Sequence, residues 1–280
     1  MVDIDIYGLG IGLVLMLIPL FFLYKLRTGL VHSTLSATIR MIIQLWLIGL
    51  YLQFLFLSDV WWVNLIWGLI MTFVATGTAI QRTRLKLQYM GIPLLVSFLS
   101  TALIISIYFI GLVLGSSEMK IFEQTFTSTE FLSYLFSARY FIPIFGLLLG
   151  NMLGVNVLAL STYFEGIRRE QQMYRYLLGN GATRWEATQP FLRKAAIKAF
   201  NPCIANMAVM GLVAMPGTMI GQILGGSDPS QAIKYQMMIV VITFVASMLS
   251  LMLTIFLVQK QCFDNMGLLK NVIAEKVDNK

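Results

Sequence analysis

The 280-residue chain is 58% hydrophobic and 12% charged, with a mean hydropathy of +0.79. Soluble domains carry about 25% charged residues, so this chain lacks the charge to cover a water-facing surface and reads as an all-α, polytopic membrane protein. One histidine, His32, and two distant cysteines, Cys203 and Cys262, argue against a histidine zinc site and a disulfide framework. The net charge of +7 resembles nucleic-acid binding only until the basic residues are placed along the chain, where they become topology.

Seven stretches have the roughly 20 apolar residues that a membrane-crossing helix needs. The first runs from Ile6 to Tyr24; Asp3 and Asp5 precede it and no small-residue cleavage site follows, so it reads as a span rather than a signal peptide. The others are Thr34–Leu57, Trp61–Ile80, Met90–Leu114, Phe131–Thr162, Phe200–Leu224 and Ala232–Val258. Lys25, Arg27, Arg40, Arg82, Arg84, Lys86 and the cluster from Arg168 to Lys198 fall on one side with Lys260 and Lys270, and most acidic residues fall on the other. Basic residues mark the cytosolic face, which predicts an outer N-terminus and a cytosolic C-terminus in the cytoplasmic (inner) membrane. Residues 1–270 form the transmembrane domain, with residues 163–198 as its cytosolic segment, and residues 271–280 form a polar tail.

The outer loop Gly115–Glu130 is short, and the cytosolic segment is too small for a catalytic domain. No Gly-rich phosphate loop followed by Lys and Ser or Thr occurs, so any ATP and Mg would be bound by another chain and this chain would bind no cofactor of its own. In the cytosolic segment a helix over Phe164–Leu178 is stopped by Gly179-Asn180-Gly181. Thr183 and Glu186 form a capping box that starts a new helix, and Pro190 predicts a bend before the chain re-enters the membrane. Tyr174, Tyr176, Leu177, Leu178, Trp185 and Phe191 are large apolar groups in a water-facing segment. They suit docking to a partner or lying at the interface as an amphipathic pair, and the residues alone leave both open.

In the sixth span Met215-Pro216-Gly217 breaks the helix, which suits a hinge or a lining segment of a translocation path and equally a packing kink. Met207, Met210, Met215 and Met219 approximate one face, with Met237, Met238, Met248 and Met252 on the seventh span. With Cys203 they suit a soft metal path, or gap-filling in a mobile bundle. Gln222, Asn151, Asn156 and Asn206 are amides at membrane depth, fitted to interhelical hydrogen bonds or to transient cation contacts. Arg139 sits near the outer end of the fifth span and Arg40 near the inner end of the second. No pair of membrane carboxylates or serine–histidine arrangement supports an enzyme.

The run LLGNGATRWEATQPFLRKAAIKAFNPCIANMAVMGLVAMPGTMIGQILGG over residues 177–226 resembles the FetB-type iron-export permeases, bacterial ABC-transporter membrane subunits with plant aluminium-tolerance relatives. The pattern at Leu178, Gly181, Ala182, Thr183, Glu186 and Ala187 is similar to the coupling segment of many ABC permeases. The stretch GLVAMPGTMIGQILGG at 211–226, and Arg40 with Gln44-Leu45, are more specific to the family. The resemblance implies a non-enzymatic permease subunit, a homodimer, a partner ATPase docking at Leu178, Gly179, Gly181, Ala182, Thr183, Glu186 and Ala187, and export of a metal ion, iron. The residues themselves place the candidate path along Met207, Met210, Met215, Pro216, Gly217, Met219 and Gln222, with metal ligands unassigned. The alternative is an ATP-independent channel or secondary carrier, which usually buries acidic residues in its spans.

Overall fold

The computed structural model describes residues 6–58, 60–114, 128–264 and 267–270. Most of the outer loop and the 271–280 tail therefore lie outside the described residues. Among those described there are eleven α-helices and no strands: α1 (Ile6–Val14), α2 (Leu17–Lys25), α3 (Val31–Ser58), α4 (Trp61–Thr83), α5 (Leu87–Tyr108), α6 (Ser128–Leu135), α7 (Ala138–Arg169), α8 (Gln171–Gly179), α9 (Arg184–Val209), α10 (Gly217–Leu224) and α11 (Pro229–Gln261). Among the described residues six segments are long and apolar enough to cross a bilayer: Tyr7–Lys25, Val31–Gln53, Trp61–Thr83, Leu87–Val113, Ala138–Arg169 and Pro229–Gln261.

Helices α1 to α3, with Leu224–Gly226, cluster as one unit, and the remaining helices as a second. In the first unit α2 packs on α3, and the expected first span is interrupted by a turn at Leu15-Met16. Their apolar side chains, such as Phe21, Ile39 and Trp46, are exposed, as suits helices whose surroundings are lipid.

The second unit is organised around α7, which packs against α4, α5, α9 and α11. Its 32 residues span about 48 Å at 1.5 Å per residue, well beyond the roughly 30 Å hydrocarbon core. Phe141, Phe145, Leu148, Met152 and Leu160 of α7 are buried, with the Phe136 ring edge-on to Phe141 and the Phe145 ring tilted against it. Two amides tie the bundle laterally: Asn64 Nδ2 donates to the Phe136 carbonyl at 2.8 Å, and Asn156 Nδ2 donates to Ser250 Oγ at 2.8 Å. Asn156 thus serves as interhelical glue.

Three expected elements are redrawn. The fifth span begins at Ala138 rather than Phe131, because the chain breaks at Phe136-Ser137, and it continues past Thr162 to Arg169. Pro190 lies inside one helix rather than between two. Helix α9 runs from Arg184 to Val209 through both Pro190 and Pro202, its buried Ala187, Phe191, Leu192 and Ala195 outweighing the backbone hydrogen bond that each proline removes. The stretch expected as a sixth span, Phe200–Leu224, is assembled from the end of α9, an irregular segment over 210–216, and α10.

Candidate functional site

The segment joining α7 to α9 is built by local rules. Helix α8 ends in a Schellman motif: the Gly181 N–H donates to the Leu178 carbonyl at 3.0 Å and the Ala182 N–H to the Leu177 carbonyl at 3.1 Å. Gly181 takes the left-handed conformation this requires, φ +88°, which a residue with a Cβ disfavours. Thr183 then caps α9: its backbone N–H and its hydroxyl both donate to Glu186 Oε2 at 2.7 Å, and the Glu186 N–H donates back to Thr183 Oγ1. These bonds hold the Glu186 carboxyl below its usual range. Gly179, Gly181, Thr183 and Glu186 are exposed, Leu178 and Ala182 are half-buried, and Ala187 is buried.

The aromatic residues of this segment divide. Tyr174 and Phe191 face inward and are buried, while Tyr176 and Trp185 stand exposed beside the turn. What buries Tyr174 is a C-terminal hairpin that the sequence reading assigned no role. Beyond α11, Phe263 and Leu269 form an antiparallel bridge, and the Lys270 N–H donates to the Cys262 carbonyl at 2.9 Å. The Tyr174 ring lies 6.1 Å from that of Phe263, and its hydroxyl donates to the Gly267 carbonyl; burial pushes that hydroxyl up to about 12. From the start of α9, Arg184 donates to the carbonyls of Gln259 at 2.9 Å and Asp264 at 3.0 Å. Gln259 Nε2 donates to Thr188 Oγ1 at 3.0 Å. Glu170, at the joint between α7 and α8, pairs with Lys194 of α9 at 3.1 Å.

At the far end of α9 lies a cleft of about 430 Å³ between α7, α9, α10 and α11. Of the residues expected along the path, Met207, Met210, Pro216 and Gly217 line it, together with Cys203, Asn151 and Asn206. Met215, Met219 and Gln222 do not. Gly211 adopts φ +89° and its N–H bonds the Ala214 carbonyl at 2.9 Å, so the chain reverses there and the helical register that aligned the four methionines is lost. Leu212 and Val213 are 92% and 84% exposed in this reversal, Met215 points outward with them, and Met219 is buried elsewhere. The methionines of α11 also lie off the cleft; that helix contributes Gln236, Thr243 and Ser247 instead. Their spacing of seven and then four residues is a polar stripe on an apolar helix, a signal the sequence carried.

The polar groups of the cleft are neutral and mostly engaged. Thr218 Oγ1 donates to Gln236 Oε1 at 2.5 Å, Asn151 Nδ2 to the Leu147 carbonyl at 2.8 Å, Thr243 Oγ1 to the Ile239 carbonyl and Ser247 Oγ to the Thr243 carbonyl. Among the described residues no group of three or more His, Cys, Asp or Glu side chains is placed to hold a metal, so any ion here is held by sulfur and neutral oxygen or nitrogen. Arg139 is exposed at the start of α7, its guanidinium 5.9 Å from the Tyr140 ring. Arg40 belongs to a polar line on α3, where His32, Ser36, Arg40 and Gln44 recur every fourth residue along one face.

The helical bundle with its six apolar, membrane-length segments defines a polytopic membrane protein. The chain belongs to the UPF0014 family, described as an uncharacterised protein family, whose model matches residues 6–263. It is similar to the UPF0014 membrane protein YjkA of Bacillus subtilis, at 28% identity over 88% of this chain and 90% of the relative. It is 26% identical to the Probable iron export permease protein FetB of Escherichia coli, over 92% of each chain. The Protein ALUMINUM SENSITIVE 3 of Arabidopsis thaliana is 28% identical, over 81% of this chain and 76% of its own. The resemblance read from residues 177–226 is borne out at the level of the family. No solved structure matches the chain.

Proposed function

We propose that this chain is the membrane-spanning subunit of an ATP-driven exporter of metal ions, working in the cytoplasmic membrane with its N-terminus outside. A separate ATPase, carrying ATP and Mg, docks on the cytosolic turn at Leu178–Ala187, and two copies of this chain surround the path. The observation that carries the reading is the continuity of α9. One uninterrupted 26-residue helix, about 39 Å long at 1.5 Å per residue, begins at the exposed, doubly capped turn and ends at Cys203, Met207 and Met210 in the cleft. A push on the turn therefore reaches the cleft without passing through a flexible joint.

The exposed Tyr176 and Trp185 beside the turn suit a partner groove, since aromatic anchors dominate binding at such contacts. The break over 210–216 lets α10 shift relative to α9, opening and closing the cleft as access alternates. The name of the Escherichia coli relative, a probable iron export permease, supports a transition-metal ion as the cargo.

The deciding experiment is co-reconstitution of this chain with its candidate ATPase in liposomes, followed by ATP turnover as ferrous iron and other metals are titrated. Metal-stimulated turnover that depends on this chain is the expected result. An ATPase that fails to associate would overturn the reading and favour an ATP-independent channel or carrier.

A further inference from the structure

Three sulfur-bearing side chains line the cleft: Cys203, Met207 and Met210. They recur at i, i+4 and i+7, the spacing that puts side chains on one face of a helix, and Met210 is the residue that caps α9. The Cys203 thiol lies 4.0 Å from the Ala199 carbonyl of its own helix, a weak contact that a ligand can replace. Beside the sulfurs stands Asn206, whose side-chain amide makes no hydrogen bond among the described residues.

Charge decides what such a site accepts. Among the residues lining the cleft there is no carboxylate and no basic side chain, and Cys203 is the one titratable group. When the thiol gives up its proton to a bound metal, the site contributes a single negative charge. A monovalent cation then leaves the complex neutral, a divalent one leaves one positive charge, and a trivalent one leaves two. A residual charge between apolar spans is disfavoured, and its cost rises with its square. Donor softness points the same way, because thiolate and thioether ligands select copper(I), whereas carboxylate, carbonyl and water suit hard ions.

We propose that the cleft is a binding site for a soft monovalent transition-metal ion, copper(I), held by the sulfurs of Cys203, Met207 and Met210, and that it rejects hard trivalent cations. The assignment rests on reading this cleft as the transport site, and it names the class of ion that the cleft favours. The binding step is a proton exchange with no redox change: the Cys203 S–H bond breaks, a copper–sulfur bond forms, and one proton leaves to water while copper remains in the +1 state. Cys262 does not compete. It is fully buried, with its sulfur against Met90 and the Tyr89 carbonyl, and burial pushes its thiol up to about 12.

The test uses the full-length chain alone, purified in nanodiscs under anaerobic conditions and titrated with copper(I) against the chromophoric chelator bicinchoninate. The expected result is one copper(I) per chain, with affinity falling about tenfold for each unit drop in pH because one proton is released. Cys203→Ser should abolish the competition. Met207→Leu, a volume-conserving change that leaves the fold intact, should weaken it, and Cys262→Ala should leave it unchanged. Aluminium(III) and iron(III) should fail to displace the bound ion.

Absence of copper(I) uptake, uptake equal in Cys203→Ser and wild type, or displacement by aluminium(III) would each overturn the assignment. The transporter reading is judged separately, by ATP turnover with the partner. Turnover stimulated by a hard cation, with no copper(I) binding, would sink this inference and keep that reading. Copper(I) binding by a chain that recruits no ATPase would do the reverse.

Discussion

The Tyr174 hydroxyl donates to the Gly267 carbonyl at 2.5 Å across 93 residues of sequence, so the segment that follows the last membrane helix is fastened to the segment between α7 and α9. Removing the donor in Tyr174→Phe leaves a buried carbonyl unpaired, at a cost of about 1–3 kcal/mol. The hairpin should loosen, and Cys262 should begin to react. In the wild-type chain a short pulse of N-ethylmaleimide, read by mass spectrometry, is expected to modify Cys203 well before Cys262. In Tyr174→Phe the Cys262 adduct should rise several-fold, and an unchanged rate would mean that the hydroxyl does not hold the hairpin.

Gly181 sits at φ +88° with open space where a Cβ would project, so the penalty for a side chain there is backbone strain rather than collision. Left-handed backbone costs an L-residue about 1–2 kcal/mol, more for a β-branched one. Gly181→Val should insert and purify normally yet lose metal-stimulated ATP turnover with the partner. Gly179→Ala, at a helical position, should keep it. Equal turnover in both variants would detach the turn from coupling.

The Thr183 hydroxyl and backbone N–H bond the ionised form of Glu186 and hold its carboxyl below the usual range. Because the folded value is depressed, the cap contributes its stability above the ordinary carboxyl range, near pH 4.3, and loses it as the pH falls through the folded value. A pH titration followed by the Thr183 amide resonance should show a midpoint below that of a free glutamate. Thr183→Ala should return the Glu186 midpoint toward the ordinary value. A wild-type midpoint at or above 4.3 would contradict the cap.

Asn156 of α7 and Ser250 of α11 share a hydrogen bond inside the bundle. Polar pairs between membrane helices contribute about 0.6 kcal/mol on average and at most about 1.7 kcal/mol. Asn156→Leu and Ser250→Ala should each lower the unfolding temperature in detergent by a few degrees. The double variant should be less destabilised than the two effects summed, and strict additivity would show that the pair does not interact.

Local chemistry was the legible part of this chain. The Thr183–Glu186 box and the Gly181 stop depend on a few adjacent residues, and they form as their spacing predicts. The apolar lengths predict seven crossings, and six of those segments form helices long and apolar enough to cross a bilayer among the described residues. What local rules missed depends on distant partners. Pro190 reads as a helix boundary because propensity sees only the missing N–H, whereas Phe191 and Ala187 are buried against the bundle and α9 stays helical through it. The residues from Cys262 onward carry no strong periodicity, and their hairpin is held by Tyr174 and Arg184 from elsewhere in the chain. The cleft was half legible. Met207 and Met210 lie before the Gly211 reversal and kept their predicted face, while Met215 and Met219 lie after it and lost theirs.

The uninterrupted length of α9 fixes how a small tilt is magnified. From Thr183 to Met207 the axis is about 36 Å long, so a tilt of about 5° pivoting at the cap sweeps the Met207 end by about 3 Å. That sweep is comparable to the width of a water molecule. Cys203, Met207 and Met210 ride on the rod together, so a modest rocking keeps the three side chains as a set and carries them past Gln236, Thr243 and Ser247 of α11, changing what faces them across the cleft.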